Sequence, residues 1–297
     1  MNITIDTDNP TLRGPLTLFA LFSDEPEADA YVTGPEAAER RLFDVRERTQ
    51  GAVVPELEIE NRADLPLMLI EGEMLVGAKQ NRTLNVSVIC PPGVATVIPV
   101  SCVEAGRWGA ARKGARSRYH AGVALRSLKT RSVHQSLLRG RGKRSDQEGV
   151  WRSVETYAAK LRATSQTFSY DELLDQAEVS IESLVADLEP HLKQRGVLVA
   201  IAGRPRTLDV FDRPATLRAY WKGLLAGYAS DAIGEEPKAA SAGEAQAFLA
   251  KVLGAKLEKA PAVGLGAEFH SASEGTTVSA LRWDGATVHL AAFADAA

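Results

Sequence analysis

The chain has only two cysteines in 297 residues, Cys90 and Cys102, too few for the disulfide framework on which small secreted scaffolds rely. Its five histidines (His120, His134, His191, His270, His289) form no HxH or HExxH pair and no CxxC occurs, so residue spacing offers no metal site. No run of 18 apolar residues is present, which excludes a helical membrane span, and residues 1–8 lack the basic and apolar regions of a signal peptide. Internal repeats and low-complexity tracts are missing as well. The expectation is a cytoplasmic protein with no membrane partner, no metal and no cofactor.

What is there is an ordinary globular composition. Apolar residues make up 45% and charged residues 25%, which rules out disordered and fibrous classes. The length fits roughly two domains or one large one. The formal charge of −3 is unevenly spread. Residues 105–145 carry twelve Lys or Arg and no Asp or Glu, leaving 23 basic against 38 acidic residues elsewhere, a balance of −15. Such a segment can dock on the acidic body of its own chain, or it can attract a phosphate-bearing ligand or an acidic protein partner. Its only aromatics are Trp108 and Tyr119, so a base-stacking nucleic-acid surface has weak support.

In chain order, residues 16–22 read as a strand opened by Gly14-Pro15, 35–41 as a short helix and 43–46 as a returning strand. The alternation Leu57-Glu58-Ile59-Glu60-Asn61 marks a half-buried strand. Strands at 65–70, 84–89 and 95–103 follow too closely for crossover helices, so antiparallel pairing in a sandwich or partly open barrel is expected. The basic segment reads as an irregular loop followed by one helix. Capping-box patterns at Ser145 and Ser169 start two helices. A hairpin with its turn at 203–206 comes next, then a helix capped by Asp212, a linker at 234–243, and a three-stranded meander turning at Asp284-Gly285. The fold class expected is α+β. An N-terminal antiparallel β-sandwich-like half (12–104) and the basic connecting segment (105–145) precede a half of helices, hairpin and meander (146–297), and the three can form one integrated domain.

The densest polar stretch is 71–82, bounded by apolar strands. It holds Glu71, Glu73, Lys79, Gln80, Asn81 and Arg82. Polar groups so placed must bond each other, the backbone or a ligand. In extended backbone the period of two would point Glu71 and Glu73 to one face, where they could form an acid–base pair or a satisfied ion-pair cluster. Further on, Cys102-Val103-Glu104-Ala105-Gly106-Arg107 has four residues between Cys and Arg, one short of the phosphatase loop. Cys102 therefore reads as a small core residue. Gly140-Arg141-Gly142-Lys143-Arg144 has Arg144 where a phosphate loop needs Ser or Thr on the metal. Trp108, among glycines and Arg107, is the one tryptophan in a loop-like context.

Across Glu71-Gly72-Glu73, Gly77, Lys79-Gln80-Asn81-Arg82, Pro92-Gly93, residues 98–104 and Gly106-Arg107-Trp108, the sequence resembles the ADP-ribosylglycohydrolase and rhodanese-phosphatase-associated protein domain family. The likeness continues through Asp146-Gln147, Val150-Trp151 and residues 208–212. This resemblance implies a place near NAD or ADP-ribose metabolism and supplies no catalytic residues. The expectation is binding of a phosphate-bearing small molecule, ADP-ribose or another NAD-derived nucleotide. Arg82 and Arg107 would hold phosphate, Gln80 and Asn81 would bond ribose or base edges, Glu71 and Glu73 would orient the cations or a hydroxyl, Trp108 would stack on a ring, and Lys79 and Glu104 complete the candidate ligand-binding set. A hydrolase using Glu73 or Cys102 and a scaffold for an acidic partner are the alternatives.

Overall fold

The computed structural model describes residues 2–109, 112–273 and 275–295. Ala110 and Ala111 of the basic segment, and Ala296 and Ala297 of the C-terminal half, lie outside the described residues. Helices and strands are mixed, in three sheets that are antiparallel except where Val32–Thr33 pairs in parallel with Leu67–Leu69.

The largest sheet has nine strands. At its centre Leu16–Ser23 pairs with Gly196–Ile201, which forms a hairpin with Arg204–Phe211, and this pairs with Ala286–Ala294. Alternation decides its faces. Val197, Val199, Ile201 and Phe211 turn toward the helix Pro214–Ala232, which supplies Leu217, Tyr220, Leu224 and Tyr228. Leu198, Leu208 and Val210 turn the other way, against Phe248, Leu249 and Val252 of the helix Ala242–Leu253. The sheet is therefore covered on both faces, and the N-terminal strand is built into the C-terminal half.

The second major sheet has six strands, in the order Arg112–His120, Glu73–Ala78, Arg82–Leu84, Ala95–Cys102, Glu56–Asn61 and Phe43–Arg46. Val45, Leu57, Ile59, Leu75, Leu84, Ile98 and Val100 gather in one apolar core, so the sheet curls around its own side chains. Its two edges meet. A Cβ on Gly114 would collide with the Val45 carbonyl, and this approach needs glycine.

Three corrections follow for the basic segment and its neighbours. Residues 112–120, expected as irregular, form an edge strand, whose glycine allows the seam rather than breaking the chain. The single run 84–89 splits between two sheets, with Arg82–Leu84 in one and Val88–Cys90 in the other. Asp212 does not cap the helix Pro214–Ala232, whose N-cap is Arg213 without a side-chain bond. Asp212 instead accepts from the Ala28 amide and the Tyr31 hydroxyl. The helix Val123–Leu138 follows the edge strand as expected. The hairpin turns at Ala202-Gly203, both at positive φ, and the meander turns at Asp284-Gly285 as read from sequence.

Candidate functional site

Residues 71–82 do not form one cluster. Gly72 has φ +86°, in the left-handed region that glycine tolerates, and this breaks the extended backbone that would have aligned the two glutamates. Glu73 goes to Arg116, 2.6 Å away, with both side chains buried. Glu71 goes to Arg126 of the helix Val123–Leu138. The two carboxylates thus serve different cations, and the shared acid–base pair is not formed.

Arg126 is the centre of a buried network, in which only Glu71 Oε2 lacks a partner among the described residues. Its guanidinium donates to Glu71 at 2.8 Å and, through two nitrogens at 3.0 and 2.6 Å, to both oxygens of Asp209. Asp209 also accepts from the Tyr228 hydroxyl at 2.6 Å and is 3.1 Å from His289 Nε2. His289 Nδ1 in turn lies 2.7 Å from Ser87 Oγ, which accepts from the Glu71 amide. Burial alone would raise the Asp209 carboxyl, but Arg126 and the His289 hydrogen bond hold it well below the usual carboxylate range. Ser87, His289 and Asp209 have the composition of a catalytic triad. Each is buried and each is tied back into the network, so the arrangement serves packing.

The turn 79–81 carries the other half of the stretch. Gly77 has φ +95°, and a Cβ there would strike the Lys113 carbonyl, so glycine is needed for the edge strand to lie close. The next residue, Ala78, also has positive φ at 44°. Arg107 pins this turn. Its guanidinium donates to both Glu104 oxygens (2.8 and 2.7 Å), to the Ala78 and Gly77 carbonyls and to Asn81 Oδ1. Glu104 accepts in addition from the Asn81 amide and the Thr167 hydroxyl. Burial would raise the Glu104 carboxyl, but Arg107, the Asn81 amide and Thr167 together bring it below its ordinary value. Gln80 Nε2 donates to the Glu104 carbonyl, and Asn81 Nδ2 to Ser169 Oγ. Arg107, Gln80, Asn81 and Glu104 are brought together and bond one another, Thr167, Ser169 and the carbonyls of the turn, while Gln80 Oε1 is buried without a partner among the described residues.

Arg82 differs. It is fully buried, and its Nε donates to the Val54 carbonyl at 3.1 Å. Both terminal nitrogens lack a partner among the described residues. Burial, the largest influence, draws its pKa below the ordinary value. Trp108 lies over the guanidinium, with its ring centre 5.8 Å from Cζ, and Lys79 Nζ is 5.1 Å from the same ring. Trp108 is 48% exposed, so part of a large aromatic reaches solvent beside two cations. Glu47, which the sequence reading did not single out, joins them. Its Oε1 accepts from the Lys79 amide at 2.9 Å, and its Oε2 is buried without a partner. Nothing in Arg46-Glu47-Arg48 signals this role.

Cys102 is buried, its thiol donates to the Glu104 carbonyl at 3.2 Å, and burial pushes its pKa up. Those conditions favour the thiol over a nucleophilic thiolate. Of the twelve cations in 105–145, Arg107, Arg116, Arg118, Arg126, Arg131 and Lys143 are ion-paired with acids of the chain itself. Among the described residues no cluster of three or more His, Cys, Asp or Glu is arranged to hold a metal ion, and no helix is long and apolar enough to cross a membrane.

Compared with known proteins, the family model of the ARG and Rhodanese-Phosphatase-superfamily-associated Protein domain matches residues 4–293. No curated protein and no solved structure gives a significant match.

Proposed function

The chain belongs to this family, and from that premise we propose that it binds a phosphate-bearing small molecule at Arg82. ADP-ribose or another NAD-derived nucleotide is the ligand class that the family's name suggests, with a place in cytoplasmic NAD or ADP-ribose metabolism. One observation carries the reading: Arg82 is wholly buried, yet the two ends of its guanidinium fork have no acceptor among the described residues. A buried donor left unpaired costs about 1–3 kcal/mol, and more when charged. An unmet buried donor calls for an explanation, and a ligand that completes the fork supplies one here. The fork matches two phosphate oxygens in a planar, bidentate way. Lys79 adds positive charge, and the exposed part of Trp108 suits the ring of a base.

In this reading Arg107, Glu104, Asn81 and Gln80 hold the turn that carries Lys79 and Arg82, so their contribution is to position rather than to touch. The scaffold alternative is weakened because six of the twelve cations already have acidic partners within the chain. A hydrolase acting through Cys102 is disfavoured by the raised thiol pKa.

The test is calorimetric titration of the full chain with inorganic phosphate, AMP and ADP-ribose, repeated on Arg82→Met. Loss of a charge-assisted bond should weaken binding by about ten- to a hundredfold. Equal affinity in the two proteins, or no binding of any of the three compounds to the wild type, would overturn the proposal.

A further inference from the structure

Resting on the phosphate reading of Arg82, a second buried atom narrows the ligand. Glu47 follows the edge strand Phe43–Arg46 and lines a cleft of about 240 Å³ at the seam of the six-stranded sheet, beside Ala78, Arg112 and Lys113. One carboxylate oxygen is fixed by the Lys79 amide. The other is buried without a donor among the described residues, and the Arg82 terminal nitrogens are likewise buried without an acceptor. Glu47 acts electrostatically on Arg82, yet the two do not bond each other. Among the described residues, the two Arg82 nitrogens and Glu47 Oε2 are thus orphaned without satisfying one another, and Gln80 Oε1 on the same turn is a further buried acceptor without a partner.

A carboxylate oxygen only accepts hydrogen bonds, so phosphate oxygens cannot complete Glu47 and would be repelled by it. A ligand that completes both groups must carry an anion next to a hydroxyl. We infer that the site selects a sugar or polyol phosphate, with Arg82 taking the phosphate and Glu47 Oε2 accepting from a hydroxyl on the adjoining carbon skeleton. Glu47 is then the residue that sets specificity, and Arg82 supplies the affinity common to all phosphates. The hydroxyl can belong to a free sugar phosphate or to the ribose of a nucleotide.

The experiment measures dissociation constants of the full chain for methyl phosphate, ribose 5-phosphate and AMP, in the wild type and in Glu47→Gln and Glu47→Met. The expected result is that the wild type prefers ribose 5-phosphate or AMP over methyl phosphate by about tenfold or more, the worth of one hydrogen bond to a charged group. That ratio should shrink toward one in Glu47→Met and fall partway in Glu47→Gln. A nucleotide as the true ligand would show as AMP binding tighter than ribose 5-phosphate, through Trp108. If the wild type binds all three phosphates alike, or if the preference survives both variants, the role of Glu47 is wrong while the Arg82 site stands. If no phosphate compound binds the wild type, both readings fall together. Should one variant fail to fold, the ratio in the other decides.

Discussion

Arg82 and Arg126 are both fully buried arginines, and they differ in every other respect that matters. Arg126 meets three carboxylate oxygens on Glu71 and Asp209, and its ring neighbour Phe293 lies 5.0 Å from Cζ. Those carboxylates lift its pKa well above the ordinary value against the opposing pull of burial. Arg82 has one backbone carbonyl and no carboxylate within ion-pair reach among the described residues, and burial prevails in lowering its pKa. The same side chain, closed to solvent in both places, is a structural keystone in one and a cation without a hydrogen-bonded counterion in the other. Burial of charge is therefore uninformative until its partners are counted.

The largest effect is expected at the keystone. Arg126→Met leaves Glu71 and Asp209 buried without their cation, and should destabilise the protein by about 3–5 kcal/mol in urea unfolding. A cost below about 1 kcal/mol would mean that the network is not what ties the helix Val123–Leu138 to the large sheet.

A second consequence is acid sensitivity. Because the folded Asp209 carboxyl is held well below its unfolded value, its contribution is present above about pH 4 and is lost as the pH falls below that toward the folded value. Unfolding free energy should decline steadily from about pH 4 to pH 2. In Asp209→Asn the decline should be shallower, and an equally steep one would remove Asp209 as its source.

At the other end of the pH scale, Lys129 donates to Thr83 Oγ1 and the Leu84 carbonyl, and burial draws its amine down to about 7. Between that value and the ordinary lysine value the folded chain binds fewer protons than the unfolded one, so stability should rise with pH from about 7 to 10. Lys129→Met should flatten the rise. A rise unchanged in the variant would assign it to other groups.

The contrast between the two arginines also marks where sequence reading reaches its limit. The alternation in 57–61, the meander around Asp284-Gly285 and the helix starts near Asp146 and Ser169 were legible, because each depends on neighbours along the chain. The edge strand Arg112–His120 was not, since its glycine reads as a breaker until the opposing strand with Val45 is in place. Glu71 and Glu73 stood out in the sequence, but their common face depended on Gly72 being extended, and its φ is +86°. Arg126 and Lys129 lay hidden among twelve cations whose charge did not tell which of them dock on the chain itself. Their partners, Asp209 and Thr83, lie far away in sequence. Arg82 and Trp108 were named from sequence. Which of Arg82 and Arg107 has donors to spare is a matter of three-dimensional accounting.

The central claim is that Arg82 is kept for a ligand and not for the fold, and the unfolding free energy of ligand-free Arg82→Met tests it most directly. Methionine fills similar space without charge, and removing an unpaired buried cation relieves its desolvation. The account predicts stability equal to or above that of the wild type, even though the bond to the Val54 carbonyl is lost. A loss of more than about 2 kcal/mol, the size expected when a paired buried group is removed, would contradict it.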